Sequence, residues 1–132
     1  MFANLDVFKM SHAMAVHAGH EQAVTAQNVA NADTPDYKAR MVVPFSDTYR
    51  NSADEAGQLS QKLTRSSHLH GSAANELPEP VLDRSVESAP NGNTVSLENE
   101  MLKSLNAKRQ HDRALAIYKS SMTILRAALS RA

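Results

Sequence analysis

Proline is sorted along this chain. All five prolines lie between positions 35 and 90 (Pro35, Pro44, Pro78, Pro80 and Pro90), and residues 1–34 and 91–132 have none. Proline breaks helix interiors, so long helices are confined to the two ends. The expected fold is mainly α: long N- and C-terminal helices paired as a coiled coil, around a mostly irregular middle with a short β-strand or hairpin. Three segments follow: 1–34 and 93–132 as the helices of the coiled-coil core, and 35–92 as the middle region.

The C-terminal segment carries the clearest helical pattern. Alternating steps of four and three from Leu97 reach Met101, Ser104, Lys108, His111, Leu115, Tyr118, Met122, Leu125 and Leu129. Most are apolar or aromatic, in the 3.5-residue rhythm of a coiled-coil seam, interrupted from Ser104 to His111. Leu102, Leu105, Ile117, Ile124 and Ala128 add a second stripe. One partner helix cannot cover both. Asn93, Thr94 and Ser96 are candidate N-caps, and Glu98 and Glu100 suit the positive end of the helix dipole. The helix is expected from about 95 to about 130.

The N-terminal helix is less forceful. Leu5, Phe8, His12, Ala15 or Val16, Gly19, Ala23, Ala26 and Ala30 run down one side and shrink along it. Small residues admit a close neighbour but bury little area, so this helix depends on its packing. It should end near Asp33, because the residue before Pro35 is biased away from helical geometry. From Tyr37 the positions Tyr37, Ala39, Met41, Val43 and Phe45 alternate with Lys38 and Arg40, which predicts a short strand, at an edge because of Pro44. Residues 50–80 read as loop or as disordered in isolation, with weak apolar clusters at 59–63 and 81–86.

Composition removes several functions. The 132 residues hold 14 basic and 14 acidic side chains, no cysteine and no tryptophan. Zero net charge argues against a nucleic-acid partner, and the missing cysteine excludes disulfides and thiol chemistry. With so few aromatics the chain has a thin core of its own, which points to stability borrowed from partners. The charge is uneven: residues 91–132 carry seven basic and three acidic side chains, whereas the two preceding segments are slightly acidic. No apolar run nears the ~20 residues of a membrane span. The N-terminus lacks a basic stretch followed by an apolar one, so a cleaved secretory signal is not expected.

No catalytic constellation stands out. His17, His20 and Glu21 could share a helix face, and His68 and His70 form His-x-His, yet neither group has a further strong ligand at fixed spacing. Exposed or partner-facing histidine is the default reading. The carboxylates are scattered, no serine sits in a Gly-x-Ser-x-Gly elbow, and Gly19, Gly57, Gly71 and Gly92 form no phosphate-binding loop. The expectation is a non-enzyme with no cofactor, no metal and no small-molecule substrate.

The most informative run extends from Ala26 to Arg40, AQNVANADTPDYKAR. Asn28 and Asn31 lie three apart on the last helical turns, where an amide competes for backbone bonds. They mark either a bonded helix end or amide contacts to a neighbour. Ala26, Asn28, Val29, Ala30, Asn31, Thr34, Pro35 and Tyr37 together resemble the signature of the bacterial flagellar rod and hook proteins. Tyr37-Lys-Ala-Arg40, Ser66-Ser-His68 and Asn91-Gly-Asn-Thr-Val95, followed by Glu98 and Glu100, resemble the proximal-rod members of that family. Asp36 stands where the family usually has glycine. A type II turn needs positive φ there, so a type I or mildly strained turn is expected.

The resemblance implies a structural subunit of the flagellar basal-body rod, exported without a cleaved signal and polymerised helically around the export channel in the periplasm. It implies contacts with other copies, with the rod proteins FlgC, FlgF and FlgG, with the adaptor FliE and the export gate, and with the MS ring. Assembly and packing then fall to Asn28, Asn31, Thr34, Pro35 and Tyr37 at the junction, and to Leu97, Met101, Leu115, Tyr118, Met122, Leu125 and Leu129 in the seam. A soluble helical adaptor or export chaperone is the alternative. A peptidoglycan hydrolase subunit would need a rigid acidic or metal site.

Overall fold

The computed structural model describes residues 3–56 and 77–130, with side chains for 6–50 and 77–130. The element order is α1 (Ala3–Ala30), β1 (Arg40–Met41), α2 (Phe45–Ala56), β2 (Val81–Leu82) and α3 (Leu97–Leu129). The protein is mainly helical, with long terminal helices and a two-stranded antiparallel sheet in the middle region. Helices α1 and α3 pack along their length. Asn28 near the end of α1 bonds Glu100 near the start of α3, while Phe8 near the start of α1 meets Tyr118 with ring centroids 5.1 Å apart. The pair is therefore antiparallel.

The facing surfaces keep the 3.5-residue rhythm but carry unexpected residues. On α1 the inward positions are Ser11, Ala18, Thr25 and Asn28, and on α3 they are Glu100, Ala107 and Ala114. Among the described residues the buried apolar ones are Ala18, Val24, Ala39, Val42, Ala107 and Ala114, none larger than valine. The thin core expected from the scarcity of aromatics is thus built of small side chains. Close helix approach follows from them, and so does a modest burial of apolar area.

The small sheet pairs Arg40 with Leu82 and Met41 with Val81. The strand expected over 37–45 shortens to these two residues, because its flanking groups bond elsewhere. Ala39 N–H donates to Thr94 Oγ1 at 2.8 Å, Arg40 N–H donates to Asn28 Oδ1 at 3.1 Å, and the Tyr37 carbonyl accepts from Thr94 N–H. Phe45 begins α2 instead of ending a strand: the Pro44 carbonyl accepts from the N–H groups of Asp47 and Thr48. The expectation of loop from residue 50 is overturned as far as Ala56, which ends α2. The rest of that expectation, with the 59–63 cluster, Ser66–His68 and His70, falls outside the described residues.

Candidate functional site

Where α1 ends, four elements converge on one amide. Asn28 is fully buried, at 0% exposure. Its Nδ2 donates to the Arg40 carbonyl at 2.7 Å and to Glu100 Oε2 at 3.0 Å. Its Oδ1 accepts from Tyr37 O–H at 3.2 Å and from Arg40 N–H at 3.1 Å. A primary amide offers two donors and two acceptor sites, and all four are used. Burying a polar group is costly unless it is so paired.

Glu100, 1% exposed, extends the network. Its Oε1 accepts from Lys103 Nζ at 2.7 Å, and the same ammonium bonds Asp83 Oδ2 at 2.7 Å. Asp83 Oδ1 accepts from the backbone N–H and hydroxyl of Ser85. Burial works against the Asp83 carboxylate. The hydrogen bonds from Lys103 and Ser85 and the Lys103 charge outweigh it, so its pKa is held down at about 2. Burial likewise disfavours the Lys103 ammonium, yet its bonds to Asp83 and Glu100 raise its pKa above the ordinary value. Burial pushes Glu21 up, with His17 and Lys103 pulling the other way.

The loop before α3 closes the end of α1. Asn93 Nδ2 donates to the carbonyls of Asn31, Ala32 and Thr34 at 2.9, 2.8 and 2.8 Å. These carbonyls lie in the turns just past the end of α1, where those of Asn31 and Thr34 also accept the backbone N–H groups of Thr34 and Tyr37. Its Oδ1 accepts from Val95 N–H at 2.6 Å. Asn93 and Thr94, read as N-caps for α3, instead cap α1 and tie down Ala39. Ser96 holds the N-cap position with no side-chain hydrogen bond. Asp36 adopts φ 57° and Gly92 φ 80°. Of the two turns expected here, type I or mildly strained, the structure has the strained one: Asp36 takes the left-handed conformation that glycine favours. A Cβ on Gly92 would collide with the Asp36 carboxylate, so Gly92 is needed for both φ and space.

The other junction residues take lesser parts. Asn31 Nδ2 donates to the Gln27 carbonyl, and Thr34 O–H donates to Asn31 Oδ1. Thr34 and Pro35 are exposed, and Tyr37 is half-buried. In the α3 stripe, Leu97, Met101, Leu115, Tyr118 and Leu129 are exposed, and Met122 and Leu125 are half-buried. Only Tyr118 of these has a described ring contact with α1. The surface that meets α1 lies one position to the N-terminal side of the stripe, at Glu100, Ala107 and Ala114. Large apolar side chains marked the wrong face for the intramolecular contact, while the seven-residue spacing of Glu100, Ala107 and Ala114 was the signal that marked the right one.

Histidine at the centre of α1 is also corrected. His17 is buried, its Nε2–H donates to the Val43 carbonyl at 2.8 Å, and its ring lies edge-on to Phe45 at 5.6 Å. His20 Nε2–H donates to the Pro78 carbonyl at 3.1 Å. Both hold the middle region against α1. Among the described residues no cluster of three His, Cys, Asp or Glu is placed to hold a metal, and no helix is long and apolar enough to cross a membrane.

An antiparallel terminal helix pair, joined through an Asn-x-x-Asn turn to a small sheet, is the architecture of a structural subunit rather than of a catalytic cleft among the described residues. No protein-family model matches the chain. It is 29% identical over 119 residues to the flagellar basal body rod protein FlgB of Agrobacterium fabrum, covering 88% of this chain and 87% of that protein. It is also 29% identical over 106 residues to FlgB of Salmonella typhimurium, covering 76% of each. The chain is thus similar, over most of its length, to flagellar basal body rod proteins named FlgB.

Proposed function

We propose that this protein is a structural subunit of the proximal rod, polymerising helically around the export channel and carrying torque for motility. One observation carries the reading: the large apolar residues of α3 face outward. Leu97, Met101, Leu102, Leu105, Leu115, Ile124 and Leu129 are all exposed on a helix whose inner face is closed by Glu100, Ala107 and Ala114. Large apolar side chains left exposed in such number mark an interaction site. Coverage of two rod proteins over most of their length supports the same reading.

In this assembly the polar junction sets the shape of each subunit, and the outer stripe of α3, including Met122 and Leu125, meets neighbours. Those neighbours are further copies, the rod proteins FlgC, FlgF and FlgG, the adaptor FliE with the export gate, and the MS ring. The work is packing and register, without catalysis. Leu115→Asp tests it in cells lacking the native gene. The expected outcome is normal expression and loss of swimming, read on soft agar. Normal swimming would remove the α3 stripe from the assembly.

A further inference from the structure

One dipeptide in the junction has chemistry of its own. Asn91-Gly92 is the single Asn-Gly step in the chain. In such a step the backbone nitrogen of the second residue can attack the side-chain carbonyl of the asparagine. Glycine has no Cβ to hinder the approach and little restriction on its backbone. Every other asparagine in the chain is followed by a residue with a side chain, which slows the same attack.

The folded junction opposes each requirement of that reaction. The attacking nitrogen must give up its hydrogen, and Gly92 N–H is donated to the Ala89 carbonyl at 2.9 Å. The side-chain carbonyl must turn onto that nitrogen, yet Asn91 Oδ1 accepts from Asn93 N–H at 3.1 Å. The main chain must rotate at Asn91, whose backbone carbonyl accepts from Asp36 N–H at 3.1 Å. Lys38 Nζ holds the next carbonyl, that of Gly92, at 2.6 Å. The Asp36 carboxylate fills the space where a Gly92 side chain would project. A negative charge there disfavours the anionic nitrogen that the attack needs. Asn91 itself is exposed, so water reaches it.

We propose that Asn91 is a deamidation site which the closed junction protects, and that isoaspartate formed there in an open subunit prevents the junction from closing again. The Gly92 nitrogen bonds to Asn91 Cγ. The Cγ–Nδ2 bond breaks, and Nδ2 leaves as ammonia with the hydrogen that Gly92 gave up. Water then opens the resulting succinimide at either carbonyl, giving aspartate or isoaspartate. Nothing is oxidised or reduced, and water is the sole reactant beyond the chain.

Isoaspartate adds a methylene to the main chain and turns the old Asn91 carbonyl into a free carboxylate. Asn93, two residues on, is then displaced from the carbonyls of Asn31, Ala32 and Thr34 that it ties together. Thr94 moves with it, away from Ala39. The chemistry is the same whether or not the chain assembles into a rod.

The test incubates the purified full-length chain in mildly alkaline buffer, with and without urea, and follows Asn91 by peptide mass spectrometry. A synthetic peptide of residues 86–97, run in both conditions, gives the intrinsic rate. In buffer the chain should convert at least about tenfold more slowly than the peptide, the factor set by an opening free energy of about 1.4 kcal/mol. In urea the two should match. Asn28→Ala removes the centre of the junction without touching the Asn-Gly step, and should raise the rate in buffer toward that of the peptide. Tyr118→Ala, toward the other end of the helix pair, should leave it slow. Chains aged in urea and returned to buffer should divide. Those with Asn91 intact should regain hydrogen-exchange protection at the Arg40 and Thr94 amides, which bond Asn28 and Tyr37 in the closed junction. Those with isoaspartate should not.

Equal rates for chain and peptide in buffer would overturn the protection. No conversion of Asn91 in urea would overturn the site itself. A rate unmoved by Asn28→Ala, or raised equally by Tyr118→Ala, would overturn the junction's part in it. Isoaspartate chains that regain protection at both amides would overturn the block on closing.

Discussion

The two ends of the helix pair are built on opposite principles. At the junction end, Asn28, Glu100, Lys103, Asp83 and Asn93 spend nearly every donor and acceptor inside the subunit. Toward the far end, α3 leaves Ile124 and Leu129 exposed. Polar groups in a helix interface add little net stability but admit one register only. Apolar groups left outside add nothing to the monomer and become useful when a neighbour covers them. On the function proposed above, the difference is a division of labour: the junction determines what the subunit is, and the α3 stripe determines what it joins.

Removing the junction's centre should do the most damage. Asn28→Asp keeps shape but loses both N–H donors and sets a carboxylate against buried Glu100. Breaking a buried charged arrangement costs about 3–5 kcal/mol, a large part of a small domain's total stability. Urea unfolding at neutral pH should show it. A loss below about 1 kcal/mol would mean the network is dispensable. A smaller effect is expected at the turn. Gly92→Ala forces a side chain into left-handed φ and against Asp36, costing about 1–3 kcal/mol. Adding Asp36→Gly should return part of that loss, since it removes the collision but not the strain at position 92. Strict additivity in that double-mutant cycle would contradict the Asp36–Gly92 contact.

Much of this division was legible in the sequence, though not its assignment to residues. Proline-free ends gave both long helices, and the run from Ala26 to Tyr37 marked the junction. Three things were hidden, each for a physical reason. The largest apolar side chains on α3 define a stripe, but a chain destined for assembly can turn that stripe outward and close its own seam with Ala107 and Ala114. Asn93 has the sequence signature of a cap for the helix that follows. Only the fold shows that it caps the helix sixty residues before it, through carbonyls of Asn31, Ala32 and Thr34. The alternation from Tyr37 to Phe45 is a strand pattern, yet Asn28 and Thr94 take the backbone bonds a longer ladder would need.

Acid should loosen the junction before the helices. Asp83, with a folded pKa of about 2 against an ordinary 3.8, is a depressed carboxylate. It contributes stability that is complete above about pH 4 and lost as pH falls through 2. Lys103 has a raised pKa, so its contribution is complete below about 10.5 and lost only in stronger alkali. Between those limits the pair is insensitive to pH. Asp83→Asn should therefore lower stability at neutral pH and flatten the acid limb of the unfolding midpoint between about pH 4 and pH 2. An unchanged limb in the variant would assign the acid sensitivity to other carboxylates.

The smallest expected effect is the one that separates the two regions most sharply. Leu115 is 41% exposed on the outer face of α3, so Leu115→Asp removes little buried area from the lone subunit. Exposed substitutions of this kind stay within about 0.5 kcal/mol. In the proposed assembly the same change places a charge in the stripe that neighbours cover, where an unpaired ion is costly. Thermal unfolding of the purified protein should be nearly unchanged while swimming is lost. A variant that unfolds several degrees earlier would show that Leu115 belongs to the subunit's own core, and the contrast between a closed junction and an open α3 face would then fail at its centre.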